Sequence, residues 1–213
     1  IMAGRLPKPG RISLSPMLSY RGKLCGDLTV ACLDENEFMV FGSGAAQEMH
    51  RRWFESHLDK FNLSYSNRSD EYHGLSIAGP NSRKVLEKIV REDVSNEKFK
   101  FRDSRRMFVG GVPAIINRIS FTGELGYEIY VAPHYQLKLY EELMEAGKEF
   151  NIKPFGGRAL MSMRLEKNWG AWTLDYRPDF TAKETGLDAF INWDKEFIGK
   201  ECAQKENSSN KLI

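Results

Sequence analysis

Cysteine is too scarce here to frame a fold: the 213 residues contain three, Cys25, Cys32 and Cys202. None pairs with another as Cys-x-x-Cys, so neither a disulfide framework nor a zinc site is expected. Histidine is scarce too, and His50, His57, His73 and His134 are scattered without metal-ligand spacing. No apolar run approaches the length of a membrane span, and the N-terminus lacks a signal-peptide core. These absences predict an intracellular, reducing setting and no membrane partner. The Asn-x-Ser matches at Asn62, Asn67 and Asn207 are then read as chance. An excess of charge is also missing. The 31 basic and 29 acidic side chains leave a net charge of +2, which argues against a nucleic-acid partner held by bulk charge. There is no Gly-x-Ser-x-Gly elbow, no dinucleotide fingerprint and no internal repeat. What is present is a globular composition, 41% hydrophobic and 28% charged, enough for one large domain or two small ones.

Alternating patterns predict strands over residues 11–17, 24–33 and 37–42, with Asp34-Glu35-Asn36 turning between the last two. After Gly42-Ser43-Gly44 the spacing becomes helical, through Ala46, Met49 and Trp53 and, one step round, Phe54 and Leu58. Short strands are predicted at 62–66 and 74–78. Gly79-Pro80-Asn81 opens a helix bearing Val85, Leu86, Ile89 and Val90. Strands over 99–108 and 112–121 form a hairpin around Gly110-Gly111, and another strand covers 127–131. Pro133 starts a long helix whose apolar stripe is Leu137, Tyr140, Leu143, Met144 and Gly147. A last helix covers 157–168. Strand–helix–strand–strand–strand–helix with tight hairpins predicts an α+β class, with antiparallel or mixed sheets and helices packed on one face. The expected divisions are 1–70, an α+β ferredoxin-like unit over 71–155, and a helix over 156–213 that returns to the first unit. The polar end, Glu206 to Asn210, is expected to pack poorly.

Three segments hold residues that chemistry could use. In Gly22 to Val30, strand alternation puts Cys25, Asp27 and Thr29 on one face and Leu24, Leu28 and Val30 on the other. An aspartate in an apolar strand must be paired, face a cavity or face solvent; pattern alone favours solvent. In Ser120 to Ile129, Gly123 and Gly126 can make a simple hairpin turn, and Glu128 can be an exposed strand carboxylate. In Gly157 to Lys167, Arg158 and Arg164 can grip a carboxylate, or be satisfied by local acids such as Glu166; Met161, Met163 and Leu165 read as core.

In fixed order, Arg21-Gly22-Lys23-Leu24-Cys25-Gly26-Asp27-Leu28-Thr29-Val30, Leu75-Ser76-Ile77-Ala78-Gly79-Pro80, Ser120-Phe121-Thr122-Gly123-Glu124-Leu125-Gly126-Tyr127-Glu128 and Arg164-Leu165-Glu166-Lys167 resemble the glycine-cleavage T-protein family. The wording of the first and last runs is similar to the folate module of dimethylglycine and sarcosine dehydrogenases. The resemblance implies a T-protein-like folate-binding fold, truncated at both ends. It implies tetrahydrofolate as the cofactor, a small N-methyl amine-derived intermediate as the other partner, and methylenetetrahydrofolate as the product. FAD would belong to a separate upstream domain. It implies that Asp27 is the catalytic residue beside folate N10, as general base or electrostatic partner, that Thr29 is a nearby polar contact, and that Glu128 grips the pterin. Phe121 stands where relatives often carry tyrosine, and Arg158 and Arg164 lie in the helix that supplies a basic folate contact. Other uses of the same fold remain open at this point: a regulatory or folate-binding module without catalysis, and a tetrahydrofolate-dependent methyltransferase or demethylase.

Overall fold

The computed structural model describes residues 1–206; the polar end from Asn207 and its Asn-x-Ser match lie outside them. The chain divides into two compact units, Ile1–Asn67 together with the chain from Gly170, and Arg68–Trp169. The helix expected to open the returning segment belongs to the second unit, and the return begins at Gly170.

In the first unit, β1 (Arg11–Leu18), β2 (Leu24–Asp34) and β3 (Glu37–Phe41) form an antiparallel sheet in that order. The β2–β3 turn is closed by the Asp34 carboxylate, which accepts the Glu35 N–H at 2.7 Å. The following helix, α1 (Gln47–Leu58), buries His50 and Phe54, with Phe54 packed on Met17 and Leu28. Met49, expected on its inner stripe, is 36% exposed: the helix turned by one position and took the aromatic side chain inward. The returning chain bridges Lys23 with Thr181 and Gly4 with Ile191 before α5 (Lys200–Lys205).

The second unit runs β4 (His73–Ala78), α2 (Ser82–Glu87), β5 (Ser104–Val109), β6 (Val112–Asn117), β7 (Gly126–Val131), α3 (Gln136–Gly147) and α4 (Gly157–Glu166). Its sheet is antiparallel throughout, in the order β4-β7-β6-β5. Tyr127, Ile129 and Val131 alternate onto the face that meets Val85 and Leu86 of α2 and Leu139, Leu143 and Ala146 of α3. The fold is therefore α+β, with antiparallel sheets and α2 and α3 on one face of this one. The opposite face of the same strands carries polar residues, which is where chemistry is to be sought.

Several sequence expectations shift. Residues 62–66 form no strand; Leu63 is 52% and Tyr65 41% exposed, and the face that Leu63 and Tyr65 would share finds no sheet edge to pair with. Residues 99–103 are a turn rather than the start of β5. The Asp103 carboxylate accepts the Lys100 N–H at 2.7 Å and Arg102 takes φ 67°, while Phe99 enters the core against the Tyr127 ring. β6 stops at Asn117, well short of Phe121. On α3 the buried residues are Leu139, Leu143, Ala146 and Gly147, so Leu143 and Gly147 lie where expected, while Leu137 is 67% exposed and Leu139 takes its place against the sheet. On α4 the expectation inverts, with Leu165 59% exposed and Arg164 buried.

The β5–β6 turn allows a stability test. Gly110 and Gly111 both have positive φ, and a Cβ on Gly111 would meet nothing within 4 Å. Gly111→Ala therefore changes backbone strain alone, and should cost about 1–2 kcal/mol in urea unfolding.

Candidate functional site

The strand register aligns the polar face of the second unit into rows. Ser104, Asn117, Glu128 and Ser76 are direct neighbours across β5, β6, β7 and β4, and Arg106, Ile115, Tyr130 and Gly74 form the next row. Glu128 is partly buried, and the Tyr130 hydroxyl donates to its Oε2 at 2.8 Å. Burial pushes the Glu128 carboxyl up; the Tyr130 hydrogen bond and the positive Lys167 oppose that rise. Burial likewise pulls the Lys167 ammonium down, and Glu128 pulls it back. Lys167 follows α4, donates to the Ser120 carbonyl at 2.8 Å and lies 5.0 Å from the centre of the Trp169 ring. The result is a carboxylate held by a hydroxyl and balanced by a cation, above a turn that ties itself: Ser120 Oγ donates to the Glu124 carbonyl at 2.5 Å.

A cavity of about 340 Å³ opens beside this row, bordered by Arg106, Ile115, Pro113, Phe108 and Tyr130. Glu128 is not on its wall. Tyr130 is, so one side chain touches both the cavity and the carboxylate.

The other residues expected in this unit part company. Phe121 is partly buried in the turn and offers no hydroxyl. Arg158 is exposed in the first turn of α4. Arg164, 6% exposed in the last turn, donates to the Trp169 carbonyl at 2.9 Å, while the Trp169 N–H returns to the Arg164 carbonyl at the same distance. That reciprocal clamp makes Arg164 the stopper of its own helix.

In the first unit, β2 alternates as expected: Cys25, Asp27 and Thr29 are partly buried on one face, while Leu24, Leu28 and Val30 are buried on the other. Asp27 is not the solvent-facing carboxylate that pattern alone favoured. Burial pushes its carboxyl up from 3.8 to about 7, against a smaller opposing effect from a backbone hydrogen bond. Behind it, on the core side, His50 donates from Nε2 to the Cys25 carbonyl at 3.0 Å. Gly26 permits that approach, since a Cβ there would lie 2.8 Å from His50 Nε2. Burial holds the imidazole below its usual value, in keeping with a neutral donor.

The sequence model of the GCVT N-terminal domain matches residues 1–195. The chain belongs to the GCVT family. Its curated relatives include mitochondrial dimethylglycine dehydrogenase of Homo sapiens, 37% identical over 96% of this chain and 24% of that protein. They also include the aminomethyltransferase of Halothermothrix orenii, 32% identical over 97% of this chain and 58% of that protein. Among solved structures, aminomethyltransferase T from Bartonella henselae superposes with a TM-score of 0.83 at 21% identity, over 97% of this chain and 55% of that one; this is a likeness of fold. The GCVT chain thus spans a minor part of the dehydrogenase and little more than half of the aminomethyltransferase. Membership carries folate-dependent one-carbon transfer as the general chemistry of the family. No helix among the described residues is long and apolar enough to cross a membrane.

Three residues of this GCVT chain escaped sequence reasoning. Tyr130 was within reach, because two residues along a strand from Glu128 is the same face. Lys167 and His50 were not, since their roles depend on where α4 and α1 end up.

Proposed function

We propose that this chain is a tetrahydrofolate-binding, one-carbon-transfer module. It would accept a methylene unit from an N-methyl or aminomethyl donor and give methylenetetrahydrofolate. The observation that carries the reading is the Glu128 carboxylate, partly buried on the face opposite α2 and α3 and braced from one side by Tyr130. The bracing leaves Glu128 Oε1 and a lone pair on Oε2 to accept two adjacent N–H donors, as a pterin edge presents. The residues fit the cofactor in charge as well. Asp27, pushed up to about 7, is divided between acid and base near neutral pH, which suits a group that takes up and releases one proton. When bound, tetrahydrofolate supplies the amine nitrogens that receive the one-carbon unit. In this reading Asp27 handles the N10 proton, Thr29 is a polar neighbour, Phe121 contributes contact area only, and Arg158 is the better of the two arginines for the anionic tail. FAD and the oxidation of an N-methyl amine would belong to a separate domain of a longer protein, and the setting would be the cytoplasm of a bacterium or the mitochondrial matrix of a eukaryote.

Titration calorimetry of this chain with tetrahydrofolate tests the reading. Glu128→Ala should weaken binding by about 1–3 kcal/mol, the range for a lost hydrogen bond to a charged group and the donors it strands. Equal affinity in wild type and variant would move pterin recognition away from Glu128. Absence of wild-type binding would refute the folate reading of the chain, and binding without turnover would make it a non-catalytic module.

A further inference from the structure

β6 is apolar from Val112 to Ile116 and ends in an asparagine that is 0% exposed. Neither Oδ1 nor Nδ2 of Asn117 has a hydrogen-bond partner, and the same is true of Oγ of Ser104, 2% exposed. Buried polar groups without partners are rare, and each calls for an explanation. A purely packing role would be better served by leucine or valine. These atoms are not scattered. Ser104 is the direct cross-strand neighbour of Asn117, and Asn117 that of Glu128, so all three side chains leave the same face in one row. Directly opposed residues on such a face have Cβ atoms about 4.5–5.5 Å apart, within reach of one another through side-chain rotation. Their chemistry is also complementary. A hydroxyl donates, an amide accepts at Oδ1 and donates at Nδ2, and a carboxylate only accepts.

We infer that Ser104 and Asn117 form a donor chain behind Glu128, in which Ser104 Oγ–H donates to Asn117 Oδ1 and Asn117 Nδ2–H donates to Glu128 Oε1. Rotation of the two side chains closes it. Tyr130 then holds Oε2 and Asn117 holds Oε1, and one lone pair on each oxygen remains for a paired donor edge of the ligand. Asn117 is thus a positioning residue: it orients the carboxylate and favours its ionised form. The groups facing Glu128 are Tyr130 on its own strand, Ser76 on β4, Asn117 on β6 and Lys167 beyond α4, with Arg106 one row away on β5. Tyr130 and Lys167 are common to wild type and variants, so a change in Glu128 titration between them reports on Asn117.

The choice of tetrahydrofolate as a probe rests on the folate reading; the donor chain itself does not. The experiment follows tetrahydrofolate affinity against pH in wild type, Asn117→Leu and Ser104→Ala. It also follows the titration of the Glu128 carboxyl carbon by NMR in the ligand-free proteins. Losing a donor to the charged form moves the Glu128 midpoint upward. Asn117→Leu should raise it by about one pH unit and lower affinity about tenfold below the midpoint, with affinity recovering at higher pH. Ser104→Ala should give a smaller shift of the same sign. A purely structural asparagine would leave the Glu128 titration unmoved. If Asn117→Leu fails to fold, Ser104→Ala carries the test. Should wild type not bind tetrahydrofolate, the folate reading fails and the NMR midpoints still decide the chain. An unchanged Glu128 midpoint in the folded variants overturns the inference.

Discussion

Asp27→Asn is expected to lower turnover to methylenetetrahydrofolate by about 100- to 10,000-fold, the range typical of losing a general base. The substitution keeps the shape and a hydrogen-bonding group but removes the charge and the proton site. Tetrahydrofolate affinity should change far less, because in the proposed reading pterin recognition rests on Glu128. Where an N-methyl amine has first been oxidised to its iminium by a separate flavin domain, the one-carbon unit that is not captured is hydrolysed by water to formaldehyde and the free amine. The measurement is therefore the partition between formaldehyde and methylenetetrahydrofolate, and an unaltered partition would leave Asp27 an ordinary strand carboxylate. Stability should move the other way. Asp27 is raised in the fold from 3.8 to about 7, so the folded state favours its neutral form. As pH rises from about 4 to about 7, the unfolded chain releases this proton first and folding loses stability. Asparagine cannot release it. Asp27→Asn should thus match wild type in thermal midpoint near pH 4 and exceed it near pH 8. A variant that is more stable and far less active is the mark of a buried charge kept for function.

The second large effect separates the two arginines of α4. Arg164→Ala should cost about 1.5–3 kcal/mol of stability, because it removes a buried guanidinium and its hydrogen bond to the Trp169 carbonyl. Arg158→Ala should leave stability within about 0.5 kcal/mol, since the side chain is exposed. If Arg158 meets the anionic tail of folate, its variant instead loses affinity, and loses less of it as salt screens the contact. Thermal unfolding and calorimetry on both variants give the comparison. A destabilised Arg158→Ala with normal affinity, beside a stable Arg164→Ala with weakened affinity, would reverse the assignment.

Much of this was legible in the chain itself. The alternation from Leu24 to Val30 told which side chains share a face with Asp27, because strand geometry has a period of two whatever packs on it. The turn from Thr122 to Gly126 and the strand after it were readable from glycine and alternation, and the four ordered segments were enough to identify the family. Local pattern failed where two nearby positions were equally apolar. On α3, Leu137 and Leu139 both offer a leucine, and contact with the sheet chose the second. It failed too where a polar segment had strand-like spacing without a partner, as at residues 62–66.

By itself, then, the sequence determined most of the strands and their faces, and it placed one carboxylate in an apolar strand and another after a glycine turn. Only the tertiary structure decided the state of those carboxylates. Desolvation of Asp27, the Tyr130 hydroxyl and Lys167 charge at Glu128, the helix-stopping role of Arg164 and the unpartnered row through Asn117 all depend on neighbours distant in the chain. The reason is physical. Periodicity reports the direction in which a side chain leaves the backbone, whereas its proton affinity and its hydrogen bonds are set by what the folded chain brings there, or keeps away.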